Sequence, residues 1–163
     1  MSLQHDQNQF DGGIHMTRRN FCGLICAAAM LAPTWVAAEN STSVGGFTVH
    51  HNAFTADTLT PEVAKAYGFQ RSKYRGLLNV SVIKEEPGTT GKPVPAQVEA
   101  KIMALTGQSS ALAMREIKDG DAVYYIGEFP VHNEQKIDFA IEVTPQGLDE
   151  TIMMRMDQQF FTD

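Results

Sequence analysis

The sequence predicts an all-β fold, an antiparallel immunoglobulin-like sandwich of about seven strands with one short connecting helix. Three observations carry that prediction. From Val44 onward apolar residues recur mostly with period two, the spacing that puts alternate side chains on one face of a strand. Turn chemistry interrupts the pattern at intervals close to the roughly 8–12 residues of sandwich strands. A helical pattern occurs only once in this region, over one or two turns.

The expected strands run near 45–55, 75–85, 96–106, 111–118, 121–130, 135–144 and 151–161. In 135–144, Ile137, Phe139, Ile141 and Val143 share one face while Lys136, Asp138 and Glu142 share the other, so that strand is half buried. Val98, Ala100 and Ile102 repeat the pattern, as do Leu78, Val80 and Val82. In the last strand Ile152, Met154, Met156 and Phe160 alternate with Arg155, Asp157 and Gln159. Breaks fall at Pro87 to Pro93, Thr106 to Ser109, Asp119-Gly120, Pro130 to Asn133 and Pro145 to Gly147. Asp119-Gly120 suits a two-residue type I′ hairpin, because both residues tolerate positive φ. Tyr124 and Tyr125 point to opposite faces of their strand, one of them inward with its hydroxyl on a backbone partner. The helix falls at Thr60 to Gly68, where Thr60 caps the free N–H groups, Pro61 takes the first helical position, Glu62 complements the dipole and Gly68 ends the helix in the left-handed conformation.

Ahead of this domain, Thr17-Arg18-Arg19-Asn20-Phe21 opens a short apolar run from Cys22 to Ala32. The run is shorter than the ~20 apolar residues of a spanning helix, and Val36-Ala37-Ala38 places small residues where signal peptidase reads them. Residues 16–38 are therefore read as a cleavable export signal, Sec or twin-arginine-like, with cleavage after Ala38 and a periplasmic destination. Phe21 fits the twin-arginine pattern, whereas Cys22 and Gly23 replace its usual apolar and lysine positions. Residues 1–15 are read as an upstream extension or a misassigned start, and residues 39–163 as a single domain.

Removal of residues 1–38 leaves 125 residues with 17 acids, 11 bases and no cysteine, since Cys22 and Cys26 leave with the leader. Stability then rests on packing, without a disulfide. Charges of both signs are interspersed and no basic stripe is present, which excludes a nucleic-acid surface. A second apolar span is absent too, so the mature chain is expected to carry no transmembrane segment.

Two stretches have a recognisable family pattern. They are Leu59-Thr60-Pro61-Glu62-Val63-Ala64-Lys65-Ala66-Tyr67-Gly68-Phe69-Gln70-Arg71-Ser72-Lys73-Tyr74-Arg75-Gly76-Leu77-Leu78-Asn79-Val80-Ser81-Val82 and Arg115-Glu116-Ile117-Lys118-Asp119-Gly120-Asp121-Ala122-Val123-Tyr124-Tyr125. In them the chain resembles the bacterial family catalogued as domain of unknown function 4426, over roughly Gly45 to Asp163. The resemblance implies an exported, compact β domain. That family has no assigned reaction, so it supplies no catalytic or binding residues.

Catalytic constellations are missing. No Gly-x-Ser-x-Gly elbow exists, and Gly107-Gln108-Ser109-Ser110 reads as a hairpin turn. The carboxylate pairs Glu85-Glu86 and Asp149-Glu150 lie beside turn residues, and Gly45-Gly46 precedes a strand where a phosphate loop precedes a helix. The expected role is therefore a non-enzymatic periplasmic binding or accessory domain without a cofactor, which recognises an envelope protein or peptide through a sheet edge or end loops. Arg71, Lys73, Tyr74 and Arg75 are the candidate partner-binding residues. A second reading is copper handling, with His50, His51, His132 and Met153 as ligand candidates, because His and Met are the ligands left to a cysteine-free exported chain. Adjacent strand residues face opposite ways, so His50 and His51 chelate one ion only across a bulge. Met154 and Met156 read as core filler. A third, weaker reading is an enzyme with a site built from loops.

Overall fold

The computed structural model describes residues 40–103 and 108–163. The leader and the upstream extension lie outside the described residues. Within them the chain forms β1 (Ser41–Val44), β2 (Phe47–Thr55), a 3-10 turn (Ala56–Thr58), α1 (Pro61–Tyr67), β3 (Arg75–Lys84), β4 (Lys92–Pro93), β5 (Ala96–Met103), β6 (Ser109–Leu112), β7 (Met114–Asp119), β8 (Ala122–Pro130), β9 (Gln135–Pro145) and β10 (Ile152–Phe160). One sheet runs β1-β2-β3-β8-β7, with β4 beside β3, and the other runs β10-β9-β5-β6. All pairings are antiparallel. The result is the antiparallel sandwich that the period-two pattern predicts.

Inward positions of the two sheets meet in one core. Leu78, Val80 and Val82 of β3 and Phe139, Ile141 and Val143 of β9 are fully or nearly fully buried. Phe129 stacks edge-on against Phe139 at 5.2 Å and Phe160 at 5.6 Å between ring centroids, pairs worth about 0.5–1.5 kcal/mol each beyond their buried area. Met154 and Met156 are buried in this core, as expected. Tyr125 faces inward and links the sheets: its hydroxyl accepts from the Ala96 N–H at 2.8 Å and donates to Glu116 at 2.9 Å.

The helix has the expected ends. Thr60 accepts from the Val63 N–H at 3.3 Å, and Gly68 sits at φ 71°.

Among the described residues the structure has ten strands where about seven were expected, and it departs from the sequence reading at four places, one of them the two-residue β4, which lies inside the expected break from Pro87 to Pro93 and pairs with Ile83 and Lys84. The expected strand 111–118 is two strands, β6 in one sheet and β7 in the other, and the chain changes sheets at Ala113. Gly127 permits the crossing, because a Cβ there would fall 2.6 Å from Leu112 Cγ and 2.7 Å from Met114 Sδ. Ser109 and Ser110 consequently belong to a strand paired with Ile102 and Met103, and are not turn residues. The short β1 was missed because Ser41-Thr42-Ser43-Val44 has no apolar alternation. It is set by Gly45 and Gly46, both at positive φ between Val44 and Phe47, the pattern of a type I′ hairpin. At the β7–β8 hairpin the two loop residues are Gly120 and Asp121, one position later than expected, and Gly120 alone has positive φ, the pattern of a type II′ turn.

Candidate functional site

β3 and β8 are apolar on both faces, and their outer face carries a second cluster in which Leu77 and Ile117 are buried with Ala56, Ala64 and Phe69. Segment 56–69, which contains α1, lies on that face. One arrangement ties it to the sheet, and two more brace the segment internally. Arg115 of β7 donates from Nη2 to the Tyr67 carbonyl at 2.8 Å, and its guanidinium lies 4.5 Å from the Phe69 ring centre. Arg71 donates from Nη2 to the Asp57 carbonyl at 2.9 Å. The Phe69 N–H closes the end of the helix on the Ala64 carbonyl at 2.8 Å.

Between this cover and the sheet lies an open cavity of about 270 Å³. Phe54 of β2, Asn79 of β3, Ile117 and Asp119 of β7, and Tyr124 and Ile126 of β8 form its floor and one wall; Leu59, Val63, Tyr67 and Phe69 form the cover. Val63 is partly exposed. The Tyr67 hydroxyl is hydrogen-bonded to the Asp119 carboxylate, and desolvation followed by that bond raises the phenol above its ordinary pKa.

The polar group of most consequence is Asn79. Its Nδ2 donates to Asn52 Oδ1 at 3.1 Å, while its own Oδ1 is shut off from solvent and has no hydrogen-bond partner. An unpaired buried amide oxygen costs about 1–3 kcal/mol. The cavity thus combines mostly apolar walls with the Tyr67–Asp119 pair and the Asn79 amide, which suits a largely apolar group carrying an N–H or O–H donor.

The four sequence-predicted partner-binding residues have different surroundings. Arg71 holds the α1 segment, as described. Arg75 is paired with Glu128 at 3.0 Å and donates to Gln70 at 3.3 Å, so its charge is locally matched. Tyr74 faces solvent at 58% exposure, and the ammonium of the half-buried Lys73 lies 5.4 Å from its ring centre. Tyr74 and Arg75 line a separate recess of about 230 Å³ with Glu128, Phe129 and Pro130.

The four metal-ligand candidates are not brought together. His50 points to the outer side of its sheet and His51 into the core, while His132 lies in the exposed β8–β9 turn and Met153 on the outer face of the other sheet. Among the described residues no group of three or more His, Cys, Asp or Glu side chains converges as a metal would require. His51 has instead a partner that alternation did not predict: its Nδ1 lies 3.3 Å from Met156 Sδ, across the sandwich. Burial first, and then the neighbouring His50, lower the His51 pKa below 6.5.

Sequence reasoning missed Asn79 and the walls around it. A signal was present in Leu77-Leu78 and in Val123-Tyr124-Tyr125-Ile126, where apolar residues run on without alternation, as they do in strands covered on both faces.

Residues 41–163 match the family model described as domain of unknown function (DUF4426). Among solved structures, a DUF4426 family protein from Pseudomonas aeruginosa PAO1 is 30% identical, with a TM-score of 0.64 over 79% of this chain and 99% of its own. FetP from uropathogenic Escherichia coli strain F11, recombinantly expressed in the periplasm of E. coli BL21(DE3), is 8% identical with a TM-score of 0.52, covering 74% of this chain and 92% of its own. A copper-bound FetP variant is 9% identical with a TM-score of 0.54, covering 77% and 97%. At those identities the likeness to FetP is one of fold. No curated protein matches the chain. Eight of the ten cavity residues, all but Phe54 and Ile126, fall in the two stretches that carry the family pattern.

Proposed function

We propose that this chain, which belongs to the DUF4426 family, is an exported, non-enzymatic binding domain that seats an aromatic side chain of a peptide or protein partner in the cavity beneath α1. The observation that carries this reading is the unpartnered Oδ1 of Asn79, a residue that lines a cavity with mostly apolar walls. At about 270 Å³ the space is below the range of roughly 300–1,000 Å³ typical of small-molecule sites. An indole fits the chemistry best, because tryptophan has a large apolar body and one N–H that only donates; a phenol is next.

The test is photocrosslinking in living cells with a photoreactive residue at Val63, beside the cavity mouth. A discrete adduct is expected from Val63, with loss of that adduct in Asn79→Leu. An adduct unchanged by Asn79→Leu refutes the site, and the same adduct from Lys73 but not from Val63 moves the function to the surface around Tyr74.

The second reading, handling of a soft metal ion, is supported by one feature, the buried His51–Met156 contact. An imidazole and a thioether are a donor set that selects Cu(I), which would take the place of the proton shared by Nδ1 and sulfur. Fold similarity to a copper-bound protein is compatible with it. Titration with Cu(I) while following the His51 ring resonances tests the reading, and an unchanged ring signal in the presence of excess ion removes it.

A further inference from the structure

β10 is a nine-residue strand with no proline, paired on one side to β9 from Ile152↔Val143 to Phe160↔Gln135. Its other edge pairs with no strand among the described residues. A long, regular edge of this kind is a template for further pairing unless something blunts it.

The charges on its outer face are unevenly satisfied. Asp157 stands directly opposite Asp138 of β9, a like-charge cross-strand pair, and only Lys136, 3.1 Å from Asp157, offsets it. Arg155 has no ion-pair partner among the described residues. The exposed apolar groups are uneven too. Among the described residues four large apolar side chains are exposed, and two of them, Met153 at 76% and Phe161 at 66%, belong to this strand and the residue after it. Phe161 keeps the strand's alternation, because Asn133 holds the tail: its Oδ1 accepts from the Thr162 N–H at 2.9 Å and its Nδ2 donates to Asp163.

We propose that β10 pairs antiparallel with β10 of a second copy of this chain about a two-fold axis at Met156, extending the four-stranded sheet across both molecules. A two-fold pairs residue i with residue j of the second copy and j with its residue i, so only the residue on the axis faces its own mate, and the alternation of faces limits the axis to whole-residue positions. With Met156 opposite Met156, Arg155 lies opposite Asp157 of the second copy, and Asp157 opposite its Arg155. Ile152 then meets Phe160, and Met153 meets Gln159. The neighbouring registers are rejected by charge: one places Arg155 against Arg155 and the other Asp157 against Asp157. In the chosen register the unpaired Arg155 supplies the second cation that the Asp138–Asp157 pair lacks. Phe161 comes diagonal to Met153 of the second copy, within reach of long side chains, so the two exposed apolar groups cover each other. A seam of one strand per molecule is at the small end of specific interfaces, which corresponds to a reversible dimer in the micromolar range.

Sedimentation velocity and light scattering on the full chain test the seam. The wild type is expected to go from monomer to dimer across the micromolar range. Arg155→Asp and Asp157→Arg, each at an exposed position, should each weaken the dimer by about tenfold or more, because both symmetry-related pairs become repulsive. Mixing the two variants in equal amounts should restore dimer as a heterodimer. The introduced aspartate of one variant then faces the introduced arginine of the other, while the native Asp157 of the first faces the native Arg155 of the second. That rescue also shows that both variants are folded. A wild type that stays monomeric, a dimer indifferent to either reversal, or a mixture that stays monomeric overturns the proposal.

Discussion

Replacing Asn79 by Leu should stabilise the protein while destroying the site. In the native chain the Asn79 Oδ1 is buried without a partner, and the Nδ2 is bonded to Asn52 at 3.1 Å. Removing the unpaired oxygen recovers about 1–3 kcal/mol of desolvation, and losing the Asn52 bond costs about 0.5–1.5 kcal/mol, with the exposed Asn52 free to bond to water. Leucine has nearly the shape of asparagine and suits the apolar surroundings of Phe54, Tyr124 and Ile126. The net gain is about 1 kcal/mol. With a urea m-value of about 2 kcal/mol/M for a domain of this size, the unfolding midpoint should rise by about 0.5 M at unchanged slope. Asn79→Asp at the same place should lower the midpoint, because it buries a charge with no counter-ion. A fall in midpoint for Asn79→Leu would refute the reasoning, since it would mean that the oxygen already has a partner and the cavity needs no donor from outside.

Tyr125→Phe should cost about 1–3 kcal/mol in urea titration, because it leaves the Ala96 N–H without its acceptor and removes a donor from Glu116. Ile141→Asp places an unpaired charge in the fully buried core and should lower stability by several kcal/mol, whereas Glu142→Lys on the opposite, exposed face should change it by about 0.5 kcal/mol or less; equal tolerance in a denaturant titration would contradict the face assignment. His51 makes stability depend on pH. Its folded pKa lies below the unfolded value of 6.5, so between the two the unfolded chain holds a proton that the folded chain does not, and stability falls as pH drops through that window. His51→Leu should flatten that part of the profile, which urea midpoints measured above and below pH 6.5 will show.

Strand order along the chain was legible because burial of one face imposes period two, and the core residues of β3, β9 and β10 occupy the positions that the period assigns. Helix α1 was legible because its signals are local: Thr60, Pro61 and Gly68 act within a few residues of themselves. The break at Ala113 was not legible, because a strand that changes sheets keeps its alternation while changing its partners. Only the open space over Gly127, a residue fourteen positions further on, permits the crossing. Similarly, Ser41 to Val44 form a strand because the glycine pair turns the chain back onto β2, not because of any pattern of their own.

The site is harder to read than the fold for a related reason. Period two places Asn79 on the outer face of β3, where a polar residue is ordinary. It becomes costly because Ile126 lies beside it on β8, and because segment 56–69 is fastened over the same face through Arg115 and braced by Arg71. The basic cluster is also partly engaged within the chain. From sequence, Arg71 to Arg75 has the composition of a ligand patch, but a guanidinium supplies five directed donors, and in this fold Arg71 and Arg75 direct theirs to a carbonyl, a carboxylate and an amide of their own chain. Two groups without an internal partner among the described residues carry the proposals above, the Asn79 oxygen beside a mostly apolar cavity and Arg155 on an edge strand. Each of them is polar where the surrounding fold provides nothing to satisfy it, and each is therefore a place where a second molecule changes the energy most.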